Sequence, residues 1–190
     1  MKKKRQEWLD QLPELRPDKL VFIDESSAKT NMTRLRGRTK GGRRLFAYAP
    51  HGHWCTTTMI SSIRINGETT AMEFEGALDG ISFYEYVRHI LAPSLKINDI
   101  VVLDNLRVHY DSKALDLIRN KGAMVKFLPP YSPDFNPIEK MWSKIKELLR
   151  GISARTQEEL STAITKAFSM VTENDANGWF SSCGITTSHS

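Results

Sequence analysis

Apolar positions along the chain fall into short blocks separated by polar turns. Leu20-Val21-Phe22-Ile23 is a β-type run that stops at Asp24-Glu25-Ser26, which predicts a short buried strand ending there. Between Leu45 and Ile65, Phe46, Tyr48, Trp54, Ile60, Ile63, Ile65 and several threonines favour a second strand. Asn66-Gly67 is a strong hairpin signal because both positions tolerate positive φ, so Thr69 to Phe74 is expected to return antiparallel. Ser82 to Leu91 carries Phe83, Tyr86, Val87, Ile90 and Leu91 at helical spacing, with Pro93 ending or bending the helix. Ile100-Val101-Val102-Leu103 is continuously apolar, as in a strand buried on both faces, and stops at Asp104-Asn105. Ser112 to Asn120 predicts a helix with Leu115 and Ile118 inward and Gly122 beyond its end. Met124 to Leu128 predicts another buried strand, and Pro129 to Pro137 is too proline-rich for regular structure. Asn136 then looks like the N-cap of a strong helix, with Pro137 in its first turn and Glu139 three residues after the cap. The stripe Ile138, Met141, Trp142, Ile145, Leu148 and Leu149 runs along it until Gly151. A last helix spans about Thr156 to Val171, opened by Thr156 and Glu159 as a capping box.

Three antiparallel strands followed by alternating helices and strands imply an α/β fold, a mixed sheet with helices on both faces. Ribonuclease H-like folds have this order. Residues 1–19 are polar, broken by Pro13 and Pro17, and read as a tail or short helix. Residues 20–150 form the expected core and 151–190 a helical extension.

The chain has 190 residues, enough for one ordinary domain. No run of about 18 apolar residues exists, so a helical membrane span is excluded. Lys2-Lys3-Lys4-Arg5 is followed by Gln6, Glu7 and Asp10 rather than the apolar stretch of a signal peptide. Cys55 and Cys183 are too few for a disulfide framework, which favours a reducing, cytoplasmic setting. Basic residues outnumber acidic ones 27 to 22, a net charge of +5 that favours a polyanionic partner. Arg34, Arg36, Arg38, Lys40, Arg43 and Arg44 cluster around Gly37, Gly41 and Gly42, which suits either a phosphate-binding loop or a solvated turn.

The chemistry-bearing residues sit where predicted elements stop. Asp24 ends the first strand, Asp104 ends the fourth, and Glu139 begins the helix after the proline-rich loop. In open α/β sheets ligands gather beyond the carboxyl ends of strands. If the first and fourth strands are neighbours, the two aspartates project side by side and Glu139 closes the cluster. Asp24 and Glu25 point to opposite faces, and Asp24 is the one expected to face the site. Three carboxylates without a counterion repel one another. Two hard divalent ions, Mg²⁺ or Mn²⁺, would balance them together with one phosphodiester. Each residue also has a plainer use: Asp24 and Asp104 as turn carboxylates, Glu139 as a capping partner of Asn136.

VFIDES, VVLDNLRVHY and LPPYSPDFNPIEKMWSKIK resemble the catalytic domain of DDE transposases of the mariner superfamily, closest to its bacterial insertion-sequence branch. The 34 residues between Asp104 and Glu139 are similar to that branch's spacing, and TNMTRLRG, KGGRR, PHGHW and WFSSCG extend the resemblance from Leu20 to Gly184. It implies that Asp24, Asp104 and Glu139 ligate two Mg²⁺ ions, with Mn²⁺ substituting. It also implies metal-dependent nicking of double-stranded DNA at element ends, then strand transfer into target DNA, usually at a TA dinucleotide. Asn105 and His109 match the DN…H pattern and are expected behind the carboxylates or against DNA, with helix capping an equal alternative for His109. A homodimer on DNA, located in the cytoplasm at the nucleoid, also follows from the resemblance. Such transposases carry an N-terminal helix-turn-helix region for which residues 1–19 are too short. The chain is therefore expected to be a catalytic-domain piece, the product of a split or frameshifted frame, or a truncated remnant. The alternatives are a non-catalytic remnant that binds DNA or partner subunits, or another ribonuclease H-like nuclease.

Other features weigh less. His51, His53 and Cys55 alternate as on one face of a strand, but no fourth zinc ligand follows at a suitable spacing. Lys146 and Arg150 share a polar stripe with Glu139 and would lead a DNA backbone to the site, or simply form a solvated face. Trp54 and Trp142 are expected in the core.

Overall fold

A computed structural model describes residues 2–46 and 50–186. The chain opens with helix α1 (Lys2–Gln11), then β1 (Leu20–Lys29), β2 (Thr56–Ile63) and β3 (Thr69–Glu75). Helices α2 (Gly80–Tyr86) and α3 (Ala92–Ser94) are joined by a π turn over Val87–Leu91. There follow β4 (Ile100–Leu103), α4 (Ser112–Asn120), β5 (Met124–Phe127), α5 (Ile138–Ile152), α6 (Gln157–Ser169) and α7 (Glu173–Ser182). The five strands make one mixed sheet in the order β3-β2-β1-β4-β5, with β1–β2 and β2–β3 antiparallel and β1–β4 and β4–β5 parallel.

Strand alternation divides the interior between the two sheet faces. Leu20, Phe22 and Val102 face one side and pack with Ile138, Met141, Trp142 and Ile145 of α5 and with Leu160 and Phe180 of α6 and α7. Trp8, Leu12, Cys183 and Ile185 join that same core, so the expected lead-in and extension are packed against the sheet. Val21, Ile23, Val101 and Leu103 face the opposite side and pack with Phe83, Tyr86, Leu115 and Ile118. Residues 20–23 and the run Ile100–Leu103 are buried on both faces, as the pattern predicts. Met124–Phe127, also expected to be buried, is the edge strand β5, with Met124 exposed and the rest half-buried because no strand covers its outer side.

Several boundaries differ from the sequence pattern. Strand β1 continues past Asp24 to Lys29 because β2 pairs with it throughout, Asp24 opposite Ser61 and Lys29 opposite Thr56. Tertiary pairing overrides the polar Ser26-Ser27 stretch. Strand β2 begins only at Thr56; Phe46 is exposed in the preceding loop, and Tyr48 lies outside the described residues. Trp54, expected in the core, is 52% exposed under the Lys29 ammonium, whereas Trp142 is buried. Helix α5 has Pro137 as its N-cap with no side-chain cap, and it runs through Gly151 to a left-handed Ser153. Asn136 instead packs into the wall of a cavity, 3% exposed. The capping box of α6 forms as read, but α7 was missing from the pattern; its own box pairs Thr172 with Asp175.

Two tertiary ties stand out. Arg64 at the end of β2 donates from Nη2 to Asp99 Oδ2 (2.6 Å) just before β4, both side chains essentially buried. Burial pushes the Asp99 carboxyl up, but Arg64 and the Lys96 amide outweigh it and hold Asp99 below the usual carboxylate range. At the hairpin tip, Gly67 has φ 83°, and a Cβ there would stand 2.8 Å from the Glu173 backbone nitrogen. A side chain would thus collide with the start of α7.

Candidate active site

The last β1–β4 pair on the parallel side is Phe22 with Val102. Asp24 and Asp104 each lie two residues further on, so both emerge on the face of Phe22 and Val102, where α5 packs. Glu139 enters from the first turn of α5. All three line one cavity of about 390 Å³, with Asn105 and Asn136 beside them. Adjacent in sequence, Glu25 points to the other face and approaches His109.

Asp24 is 9% exposed, and its carboxyl is pushed up to about 8 by burial and by the charges of Glu25, Glu139 and Asp104. Burial also raises Glu139, with Asp104 and Glu25 adding and Lys146 opposing. Burial raises Asp104 too, but His109 and the Leu106 amide outweigh it and hold it below its ordinary value. His109 Nδ1 donates to Asp104 Oδ1 (2.6 Å), which also accepts from the Leu106 amide (2.9 Å). His109 is fully buried, with Nε2 3.5 Å from Glu25 Oε2, a distance for charge attraction rather than a hydrogen bond. Burial alone would lower its pKa; Asp104 and Glu25 reverse that and raise it to about 9. Asp24 is thus drawn toward its protonated form and His109 toward its cationic form. His109 is buried behind Asp104, and α4 is capped by Asp111 instead. Asn105 donates to the Leu128 carbonyl and accepts from the Tyr110 hydroxyl (2.8 Å), joining β4 to the proline-rich loop.

That loop is held from the far end of the chain. Arg5 of α1 donates to Ser132 Oγ (2.8 Å) and forks onto Asp134 (2.9 and 2.6 Å), with its guanidinium 4.3 Å from the Phe135 ring centroid. Nothing local in the sequence announces a contact between residues this distant. Tyr131 takes φ 54° on the same loop and lines the cavity, as do Leu106, Leu128, Pro129 and Pro130. The Asn136 amide oxygen is buried in the wall without a partner.

The other named residues spread around this centre. Arg36, Arg38, Lys40, Arg43 and Arg44 are exposed in the β1–β2 loop. Arg34 of that loop lies over the end of α5, its Nη2 3.9 Å from where a Gly151 Cβ would stand. The foot of the loop is fixed by Arg155, which donates to the carbonyls of Thr30 and Met32 (2.9 Å each), a tie absent from the sequence reading. Lys146 and Arg150 are half-buried along α5. Cys55 is exposed and, with His51 and His53, precedes β2 rather than forming a strand face.

Among the described residues no three His, Cys, Asp or Glu side chains are drawn closely enough to grip an ion as they stand. The chemistry of Asp24, Asp104 and Glu139 nonetheless suits hard cations: oxygen donors only, with Asp24 and Glu139 raised first by burial and then by neighbouring carboxylates whose repulsion a cation would relieve.

Residues 19–161 match the family model described as DDE superfamily endonuclease. The chain belongs to the DDE superfamily endonucleases. No curated relative matches it. Among solved structures it is similar to the Mos1 transposase paired-end complex with left transposon end, at TM-score 0.69 and 14% identity. That match covers 96% of this chain and 57% of the other, so the chain spans a little over half of that protein. The catalytic domain of Mos1 mariner transposase matches at TM-score 0.63 and 14% identity, covering 97% of this chain and 85% of that one. The catalytic core of BIV integrase matches at TM-score 0.51 and 12% identity, covering 80% and 81%. Mos1 paired-end complexes with Mn and with Mg are similar as well. At such identities the likeness establishes the fold, which is ribonuclease H-like, that of transposase and integrase catalytic domains.

Proposed function

We propose that the cavity is a divalent-metal phosphoryl-transfer site and that the chain cuts and joins double-stranded DNA as the catalytic portion of a transposase of the insertion-sequence branch. The carrying observation is that Asp24, Asp104 and Glu139, from two adjacent parallel strands and a helix, line one cavity in which their charges oppose one another. Asp24, Asp104 and Glu139 would hold two Mg²⁺ ions, with Mn²⁺ substituting, which supply activation of water or a 3′-hydroxyl and stabilisation of the leaving oxygen. His109 keeps Asp104 ionised and fixes its orientation, as a partner behind a ligating carboxylate does. Asn105 ties the Asp104 turn to the proline-rich loop. Arg34, Arg36, Arg38, Lys40, Arg43 and Arg44, with Lys146 and Arg150 on α5, contact the phosphate backbone, which positions DNA without reading its sequence. The same reading carries a TA-type target, two copies acting on paired ends, action in the cytoplasm at the nucleoid, and a division into lead-in, catalytic core and helical extension.

The test is supercoiled-plasmid nicking by the chain and by Glu139→Gln in Mg²⁺, Mn²⁺ or Ca²⁺. Nicking by the parent in Mg²⁺ and Mn²⁺, lost in the variant with an unaltered circular dichroism spectrum, is expected. Equal nicking by both would remove Glu139 from the site.

A further inference from the structure

The cavity has two unlike halves. Its acidic half suits a cation-bound phosphate but offers no apolar face to a base or a sugar. The other half is apolar, formed by Leu106, Leu128, Pro129, Pro130 and Tyr131. Tyr131 leaves 88% of its surface in solvent, more than any other large apolar side chain among the described residues. Two tendencies oppose that placement. An aromatic ring gains by burial, and a non-glycine residue at φ 54° sits in a costly left-handed conformation that persists only where its surroundings impose it. Here the surroundings do impose it. Pro129, Pro130 and Pro133 restrict the backbone on both sides. Arg5 clamps Ser132 and Asp134, the residues immediately beyond the tyrosine. The ring is held out at the cavity instead of folding onto the protein.

We propose that Tyr131 is the stacking platform for the nucleotide beside the scissile phosphate, its ring lying against that nucleotide's base or deoxyribose. This rests on the DNA-cleaving reading of the cavity and adds where the substrate strand lies. Every base presents a π-face, so such a platform strengthens binding without choosing a sequence. Arg5 is a positioning residue that acts through the loop and does not touch DNA.

The experiment uses the full chain with Tyr131→Ala, Tyr131→Phe and Tyr131→Trp, and short duplexes carrying 2-aminopurine at successive positions beside a 3′ end. In Ca²⁺, the parent, Phe and Trp chains quench the fluorophore at one or two adjoining positions, and the Ala variant does not. In Mg²⁺, Tyr131→Ala raises the plasmid concentration for half-maximal nicking at least about fivefold, and Tyr131→Phe restores it. Quenching and half-saturation in Tyr131→Ala equal to the parent's would overturn the stacking role while leaving DNA cleavage intact. Nicking that persists in Glu139→Gln removes Glu139 from the site, and quenching lost with Tyr131→Ala then still supports the platform. A parent chain that binds none of the duplexes overturns both.

Discussion

Replacing Asp24 with asparagine removes an ionisable carboxyl from the middle of the acidic cluster with almost no change in shape. The folded carboxyl titrates at about 8 because of burial and its acidic neighbours, against about 3.9 in an unfolded chain. Between those values the folded state binds more protons than the unfolded state, so stability falls as pH rises through that window. At about 1.36 kcal/mol per unit, the loss approaches about 4 kcal/mol at pH 7 as a ceiling. Side-chain relaxation and water entry reduce it, and about 2 kcal/mol is the working expectation. For a chain of this size that is a melting-temperature gain of about 4–8 °C for Asp24→Asn. Thermal melts in EDTA between about pH 5 and 9 should show the parent losing stability as pH rises and the variant losing much less. Excess Mg²⁺ should close the gap by stabilising the parent alone. Parallel pH curves, or a variant that melts below its parent at pH 8, would refute the crowding of charge at this site.

Other expectations follow from the ties that position the sheet. Asp99→Ala leaves Arg64 buried without its partner and should cost about 3–5 kcal/mol in urea unfolding. The folded Asp99 carboxyl lies below its unfolded value, so its contribution is present above about pH 4 and is lost as pH falls further. Asp99→Asn should therefore flatten the acid limb of the stability curve measured by circular dichroism. Gly67→Ala forces a Cβ against the start of α7 at a left-handed φ and should cost about 2 kcal/mol or more by the same assay. Replacing Arg36 and Arg38 by alanine should make log affinity for duplex DNA less steep in log salt by about 0.9 per lost phosphate contact, measured by anisotropy titration. An unchanged slope would place those side chains away from the backbone.

The sheet was legible in the chain wherever a residue's fate was decided locally. The runs around Val21 and Val101 announce burial on both faces, Asn66-Gly67 announces a hairpin, and Thr156 with Glu159 announces a helix start. The length of β1 was not legible, because Ser26 and Ser27 are in a strand only through pairing with β2. Helix α7 did have a signal in Thr172 and Asp175, but Asn174, Asn177 and Gly178 lower helix propensity behind it. Asp104 and Glu139 could be named from where elements stop and start, whereas Asp24 was named from a strand end that β1 in fact runs past. The bracing of Asp104 by His109 and the clamp of Arg5 on Ser132 and Asp134 required three-dimensional closure.

The central position of β1 also governs when the acidic trio comes together during folding. Its partner β4 begins some eighty residues downstream, and the helix bearing Glu139 comes later still. Long loops must close before either contact is rewarded, so assembly of the acidic trio belongs late in the folding sequence. A nascent or partly folded chain would thus present dispersed acids, and the proposed metal site exists only once the whole scaffold has closed.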